Sequence, residues 1–221
     1  MGFGHGLSPD QIEWTLLTIG HLSMNKFWGE TERVRAPLCT TTLIHTRAGL
    51  VLVDPGVEPA SMPQLLHDGA GLRPEDIRYV FVTHSHGDHW VGLEAFPHAT
   101  WLMGEPEIRY WRSRGGERER ALLDRIRPAG DEPVPGLRAV HLPGHTPGIT
   151  SLLFSWRGQT VAVVGDTVMT AAHFGAREGH INSTDEDQAR AAIDRLAREA
   201  DVIVPGHDNA FAVAWTGGGA E

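Results

Sequence analysis

The segment Thr83-His84-Ser85-His86-Gly87-Asp88-His89 places three imidazoles and one carboxylate within six residues. Imidazole nitrogen and carboxylate oxygen are ligands for zinc and other divalent first-row metals. In an extended segment His84 and His86 point the same way, so both can reach one ion. Asp88 and His89 follow one turn later and can reach a second ion. Side-chain packing gives no reason for such a cluster, so the segment predicts a metal site.

Three further residues that could complete this site each follow a predicted strand. They are His145 after residues 137–142, Asp166 after residues 160–164, and His207 after residues 202–204. A glycine directly precedes each of them, which lets the backbone turn sharply and brings the side chain close to a crowded centre. The histidine segment itself follows residues 77–83, a β-branched and aromatic run that predicts a buried strand.

The rest of the chain predicts an α/β protein. Further strands are expected at residues 12–19, 39–46, 50–53, 99–103 and 150–156. Helices are expected at residues 61–69, at residues 105–127 on both sides of Gly115-Gly116, and at residues 186–200, where Asp185 is the expected N-cap. Early strands joined by hairpins, followed by strands separated by helices, favour sheets covered by helices. The stretch from His173 to His180 is interpreted as a loop.

The composition fits one folded domain spanning residues 1–221, since the chain is 41% hydrophobic and 21% charged. Cys39 is the one cysteine, which excludes an internal disulfide and a zinc site built on several thiolates. No apolar run approaches the ~20 residues of a membrane helix. Residues 1–10 carry no secretory signal, so we expect a cytoplasmic protein without a membrane partner.

The charge pattern indicates which class of molecule the protein binds. The formal net charge is -9 and Lys26 is the only lysine, which argues against general binding to phosphate backbones. The arginines between Arg109 and Arg127 alternate with Glu107, Glu117, Glu119 and Asp124, a pattern typical of a solvated helix with paired charges. A small molecule, not nucleic acid, is therefore the expected partner.

Together with His145, Asp166 and His207, the histidine segment resembles the metallo-β-lactamase superfamily, from about Leu43 to about Phe211. The resemblance implies the metallo-β-lactamase fold, a four-layer αβ/βα sandwich, with two divalent metals at one edge between the sheets. It assigns His84, His86 and His145 to the first metal, Asp88, His89 and His207 to the second, and Asp166 to both. Asp54, which ends a predicted strand, matches the family's early aspartate that orients ligands. Zinc is the expected metal, and iron, manganese or cobalt would also suit nitrogen and oxygen ligands.

The chemistry that this resemblance implies is hydrolysis. Two cations held about 3.5–4 Å apart can share a water and lower its pKa toward neutrality, so that a metal-bridging hydroxide attacks a carbonyl carbon or a phosphorus. Asp88 or Asp166 could also move a proton as the intermediate collapses, which makes both candidate catalytic residues. A small acyl substrate (a lactone, ester or thioester) is the first hypothesis. A phosphodiesterase or nuclease on the same centre is the second, and a metal-binding protein without catalysis is the third.

Branches of the superfamily differ from this chain in identifiable ways. True β-lactamases usually lack the bridging aspartate, so Asp166 argues against that activity. Hydroxyacylglutathione hydrolases share all seven ligands but carry a C-terminal helical domain, which we do not expect here. Many acyl-homoserine-lactone lactonases place a tyrosine shortly after the bridging aspartate, where this chain has Thr167-Val168-Met169. The favoured relatives are small metallo-β-lactamase domain-containing proteins, which residues 76–103 and 200–207 resemble.

The loop between the first two predicted strands is expected to overhang the metals. Phe27 and Trp28 lie in this loop and His173 follows the bridging aspartate, so all three are predicted to line the substrate pocket. An apolar lid would suit an acyl or aromatic substrate. The same apolar residues would suit the contact surface of a homodimer equally well.

Overall fold

The computed structural model describes residues 11–213, so the prediction about a secretory signal in residues 1–10 lies outside the described part of the chain. The strands are β1 (Glu13–Leu16), β2 (Thr42–Thr46), β3 (Gly49–Val53), β4 (Ile77–Val82), β5 (Thr100–Gly104), β6 (Arg127–Ala129), β7 (Arg138–His141), β8 (Thr150–Trp156), β9 (Gln159–Gly165), β10 (Val202–Pro205) and β11 (Phe211–Ala212). The α-helices are α1 (Met62–Ala70), α2 (Gly87–Trp90), α3 (Glu105–Arg114), α4 (Glu117–Leu123), α5 (Ala171–Ala176) and α6 (Glu186–Glu199). Among residues 11–213, no helix is both long and apolar enough to cross a membrane.

The strands form two sheets. The first has the order β1-β2-β3-β4-β5-β6, with antiparallel pairing from β1 to β3 and parallel pairing from β3 to β6. The second has the order β11-β10-β9-β8-β7, and β9 and β10 are its parallel pair. Because parallel strands end at the same edge of a sheet, residues that follow β3 and β4 are neighbours, as are residues that follow β9 and β10.

The inner strands are apolar on both faces, so each sheet packs against the other sheet on one face and against helices on the other. In β9, Val161 and Val163 lie in the core between the two sheets, where they join Phe81 of β4. The alternate residues Ala162 and Val164 pack on the other side with residues of α5 and α6. A third cluster covers the outer face of the first sheet with residues of α1, α3 and α4. The four-layer αβ/βα arrangement implied by the sequence is therefore confirmed.

Two expectations about local structure differ from what the structure shows. The prediction of a loop around His173 is wrong, because these residues form α5, whose start is capped by Thr170: its hydroxyl accepts a hydrogen bond from the His173 backbone N–H at 3.3 Å. Strands β6 and β11 were not predicted, because their 3 and 2 residues are too few to carry a periodic pattern. The predicted cap of α6 is confirmed, since Asp185 accepts from the backbone N–H of Gln188 at 2.9 Å.

Candidate metal centre and its cavity

The seven side chains singled out in the sequence converge where the carboxyl ends of the inner strands meet. They form a first group of His84, His86, His145 and Asp166 and a second group of Asp88, His89 and His207. Within each group the candidate ligand atoms lie within 4.8 Å of one another. The division into two groups follows the local backbone, because the first two histidines lie in the extended segment after β4, whereas Asp88 and His89 lie in α2.

The Asp166 carboxylate faces both groups. Its Oδ2 lies 3.5 Å from Nε2 of His84 and 3.2 Å from Nε2 of His145. Its Oδ1 lies 3.1 Å from Nε2 of His89 and 3.3 Å from Nε2 of His207. One buried carboxylate therefore presents one oxygen to each group, which is the arrangement that a shared ligand requires.

Ring nitrogens of the first group point at a common centre. Nδ1 of His86 lies 3.1 Å from Nε2 of His84 and 2.8 Å from Nε2 of His145. A neutral imidazole has one N–H donor and one lone pair, so three converging ring nitrogens can direct their lone pairs at the same cation. The geometry thus places nitrogen ligands around one point.

Contacts on the outer side of three rings fix the direction of their inner nitrogens. In these contacts Nδ1 of His84 lies 3.1 Å from Thr83 Oγ1, Nδ1 of His89 lies 2.8 Å from Asp54 Oδ2, and Nδ1 of His207 lies 2.8 Å from the Leu38 carbonyl oxygen. A ring held by its outer nitrogen presents the other nitrogen to the centre in a defined orientation. The three Nε2 atoms are consequently aimed inward by the fold.

Asp54 connects the ends of two neighbouring strands. It follows β3 and has a φ of 52°, a left-handed conformation that aspartate and asparagine tolerate better than most residues. Its Oδ1 accepts from the Thr83 backbone N–H at 2.8 Å, and its Oδ2 accepts from the Thr83 hydroxyl at 2.7 Å. With the His89 contact, the buried carboxylate holds both the end of β4 and one ring of the second group. This geometry supports the predicted orienting role.

Asp54→Asn is therefore expected to lower the affinity of the second group for a divalent cation by about 10- to 100-fold. Asparagine keeps the shape and tolerates the left-handed backbone, but its amide nitrogen cannot accept a hydrogen bond from the His89 ring. Competition with a chromophoric chelator measures the affinity. Asp68→Asn, at an exposed carboxylate on α1, is the matched control. Unchanged affinity in Asp54→Asn would show that His89 needs no such support.

The buried atoms of the site fit a bound cation. Among residues 11–213, the buried atoms without a hydrogen-bond partner include Nε2 of His89 and Oδ1 of Asp166. These two atoms lie 3.1 Å apart but are not aligned for a hydrogen bond. A buried polar atom without a partner costs about 1–3 kcal/mol, and a cation between the two would satisfy both. The nitrogen and oxygen donors therefore form a cluster suited to a divalent metal.

The charge states of the cluster agree with this interpretation. Burial lowers the pKa of His84 well below its usual value and that of His86 to about 4, so both rings are neutral near pH 7, the form that coordinates metals. For Asp166 burial opposes ionisation, but the surrounding histidines, His89 first, hold its pKa well below the usual range. For His89 burial lowers the pKa, but Asp166, Cys39 and Asp54 together outweigh it and raise the pKa, so a cation binding there must displace a proton.

Two glycines shape the backbone around Asp166, as the sequence predicted. Gly165 has a φ of 50°, where a side chain would be strained. At Gly206 a Cβ atom would lie 2.0 Å from Oδ1 of Asp166. Any larger residue at Gly206 would therefore collide with the carboxylate that the two groups share.

Glu107 corrects the sequence prediction of a wholly solvated helix. Exposed pairs such as Arg109–Glu105 fit that prediction, but Glu107 in α3 is fully buried. Its Oε1 accepts from the Ser85 backbone N–H at 2.9 Å, and its Oε2 accepts from the Thr146 hydroxyl at 2.8 Å and the Gly148 backbone N–H at 3.1 Å. It thus ties the His84–His86 segment to the loop that carries His145. Sequence analysis missed this role because one glutamate in a charged helix has no distinguishing pattern.

A cavity of about 400 Å³ lies against the two groups. Three sets of residues line it: His86, Asp88, His145, Asp166 and His207 of the groups; Leu22, Ser23, Arg33, Arg35, Ala36 and Pro37 of the β1–β2 loop; and Met169, His180 and Asn182. The β1–β2 loop therefore borders the site, as expected. The arginines in it were not predicted, because isolated loop residues leave no pattern in a sequence.

The three predicted pocket residues lie beside this cavity. Phe27 and Trp28 are 41% and 66% exposed and are not part of its lining. Phe27 packs edge-to-face against His173 with 4.8 Å between the ring centres. His173 lines a smaller neighbouring cavity of about 90 Å³ that also touches His180. Contact of these three residues with a substrate stays a prediction.

Comparisons with known proteins agree with the fold. The Lactamase_B family model, described as the metallo-beta-lactamase superfamily, matches residues 34–207. Metallo-beta-lactamase domain-containing protein 1 of Xenopus laevis is 35% identical over 172 residues, which cover 74% of this chain and 68% of that protein. An N-acyl homoserine lactonase of a Bacillus species is 26% identical over 223 residues, covering 86% of this chain and 88% of that protein.

A solved structure with a similar fold is that of the dizinc quorum-quenching lactonase AidC in complex with a product. It has a TM-score of 0.72 and 18% sequence identity, and the match covers 96% of this chain and 90% of that chain. At this identity the likeness shows a shared fold. It extends over nearly the whole chain.

Proposed function

This chain belongs to the metallo-β-lactamase superfamily of hydrolases, and on that premise we propose that it is a dinuclear metal-dependent hydrolase of small acyl substrates such as lactones, esters or thioesters. The observation that carries the proposal is the Asp166 carboxylate, which faces one group with each oxygen. The proposed ligands of the first cation are His84, His86 and His145, those of the second are Asp88, His89 and His207, and Asp166 is shared. Zinc is the proposed metal.

A pair of divalent cations, when bound, supplies a Lewis acid for the carbonyl oxygen and lowers the pKa of a water. The chain's own residues orient these parts and handle the proton. Asp88 is the carboxylate better placed for proton transfer, because both carboxylates line the cavity but the Asp88 side chain is 22% exposed whereas that of Asp166 is 4% exposed. We assign Asp88 the transfer of a proton from the attacking water to the leaving group, and Asp166 the task of holding the two ligand groups together.

The cavity supports a small substrate. Its volume of about 400 Å³ lies in the range of pockets for small ligands, and Leu22, Pro37 and Met169 supply apolar wall for an acyl chain. The net charge of -9 opposes a polyanion, which favours the acyl substrate over a nucleic acid. The relatives named N-acyl homoserine lactonases make lactones the first compounds to test.

Chelation followed by metal add-back, with a panel of lactones, thioesters, nitrocefin and bis-p-nitrophenyl phosphate, tests the proposal. We expect turnover of acyl substrates that is lost on chelation and returns when about two equivalents of zinc per chain are restored. Turnover of the phosphodiester alone would instead establish a phosphodiesterase. A protein that holds metal but leaves every compound intact would be a metal-binding protein without catalysis.

A further inference from the structure

The cavity beside the two metal groups has a cationic wall, and from it we propose that the preferred substrates carry a carboxylate that binds Arg33. This inference rests on the proposed function and narrows its substrate class. Neutral acyl lactones and esters would then be the poorer substrates. The carboxylate lies on a part of the substrate that is not cleaved, since it serves as an anchor and takes no part in bond breaking.

Arg33 and Arg35 both line the cavity, but only one of them is free to bind a ligand. The Arg35 guanidinium is paired with both carboxylate oxygens of Glu30 and also donates to the Leu22 carbonyl oxygen at 3.1 Å. Arg33 makes no ion pair or hydrogen bond through its side chain with any residue in the range 11–213. Both carboxylate oxygens of Glu30 are therefore paired with Arg35, and within the same range the positive charge of Arg33 has no partner at the cavity.

The backbone that presents Arg33 is held in place on both sides. Before it, the Asn25 backbone N–H donates to the Glu30 carboxylate at 2.7 Å, and the Glu30 N–H donates to the Asn25 carbonyl at 3.3 Å. After it, the Val34 N–H donates to the Ser23 carbonyl at 2.9 Å. A fixed backbone lowers the entropy cost of engaging a ligand, so this loop presents its guanidinium in a partly preorganised way.

The other charged groups of the cavity leave room for an anion. Its lining carboxylates are Asp88 and Asp166, and both belong to the metal groups. Asn182 and His180, which also line the cavity, add no carboxylate. A substrate carboxylate would therefore meet one guanidinium and no carboxylate outside the metal ligands. A guanidinium binds a carboxylate by two parallel hydrogen bonds, which fixes orientation as well as affinity.

A matched pair of esters tests the inference on the zinc-loaded protein. Mono-p-nitrophenyl glutarate carries a free carboxylate, and p-nitrophenyl 4-carbamoylbutanoate replaces it with a neutral amide of the same shape. We expect kcat/KM to favour the carboxylate ester by about tenfold, the effect of one partly exposed charged hydrogen-bonded pair. Arg33→Gln should bring this ratio close to one, and Arg33→Glu should invert it.

Arg47→Gln is the matched control, because Arg47 lies in the turn between β2 and β3 at the opposite end of these strands from Asp54. It should keep the wild-type ratio. Hydrolysis of both esters without a preference, or a preference that survives in Arg33→Gln, would overturn the inference and leave the proposed hydrolase intact.

If neither ester is cleaved, the panel of lactones and thioesters decides the proposed function, and binding measurements test the anion site separately. Calorimetry then compares the binding of glutarate and of glutaramate, its monoamide, to the metal-loaded protein. About tenfold tighter binding of glutarate, lost in Arg33→Gln and kept in Arg47→Gln, would support the site. Equal binding of the two compounds by the wild-type protein would overturn it.

Discussion

Replacing Asp166 with alanine is expected to empty both metal groups and to lower kcat by about three orders of magnitude. Both carboxylate oxygens are within 3.5 Å of imidazole nitrogens, one oxygen for each group. Without this carboxylate the first cation would have only three neutral imidazole ligands. The second cation would keep Asp88 as its one anionic ligand, because Asp166 is the other. Elemental analysis after gel filtration, together with the rate on the best acyl substrate, measures the outcome.

His207→Ala provides the contrast to Asp166→Ala. His207 belongs to the second group alone, so this variant should lose one ion and keep the other. If Asp166→Ala still held two ions per chain, the carboxylate would not be a shared ligand. The proposed dinuclear centre would then have to be abandoned in favour of two independent sites.

The second large effect is expected for Asp88→Ala, which should lower kcat by about 10²- to 10⁴-fold while the ion of the first group stays bound. Asp88 contributes to the second group, where its Oδ2 lies 3.6 Å from Nε2 of His207. The variant therefore removes a ligand and the proposed proton carrier together. Metal stoichiometry and kcat, measured on the same preparation, separate this result from a general loss of structure.

Asp124→Ala serves as the control for Asp88→Ala, since Asp124 is an exposed carboxylate that pairs with Arg112 away from the site. It should keep both ions and the full rate. Equal loss of both ions in Asp88→Ala would contradict the division of the ligands into two groups. Full activity in Asp88→Ala would remove Asp88 from the mechanism.

The inner strands of the fold could be predicted because each of their faces has its own core. Residues 150–156 form a strand with the predicted bounds, and Leu152 and Leu153 contribute to two different apolar clusters. A strand covered on both faces carries apolar residues at consecutive positions, here Leu152-Leu153-Phe154, and such a run stands out in a sequence. Helix α5 and strand β11 depend on contacts made after folding, and their few residues have no period of their own.

The convergence of the candidate metal ligands could also be predicted, because seven chemically unusual residues follow strand ends. Apart from Asp54, the residues that hold these ligands in place, and those that line the cavity beside them, could not be predicted from the sequence. Glu107 is buried among donors from two loops, yet in the sequence it is one of many acidic residues in a charged helix. Arg33 and Arg35 are two apart in the same loop, and only the structure shows that Glu30 pairs with one of them.

The sequence by itself determined the types of side chain at the strand ends, the layered sheet-and-helix architecture, and the family to which the chain belongs. Those features are local, because the ligand chemistry belongs to single side chains and each apolar run consists of consecutive residues. The tertiary structure alone decided which oxygen of Asp166 faces which group, how Asp54 and Glu107 hold the ligand loops, and which arginine stays free at the cavity. These depend on distances between residues far apart in the chain, and such distances exist only after the two sheets have packed together.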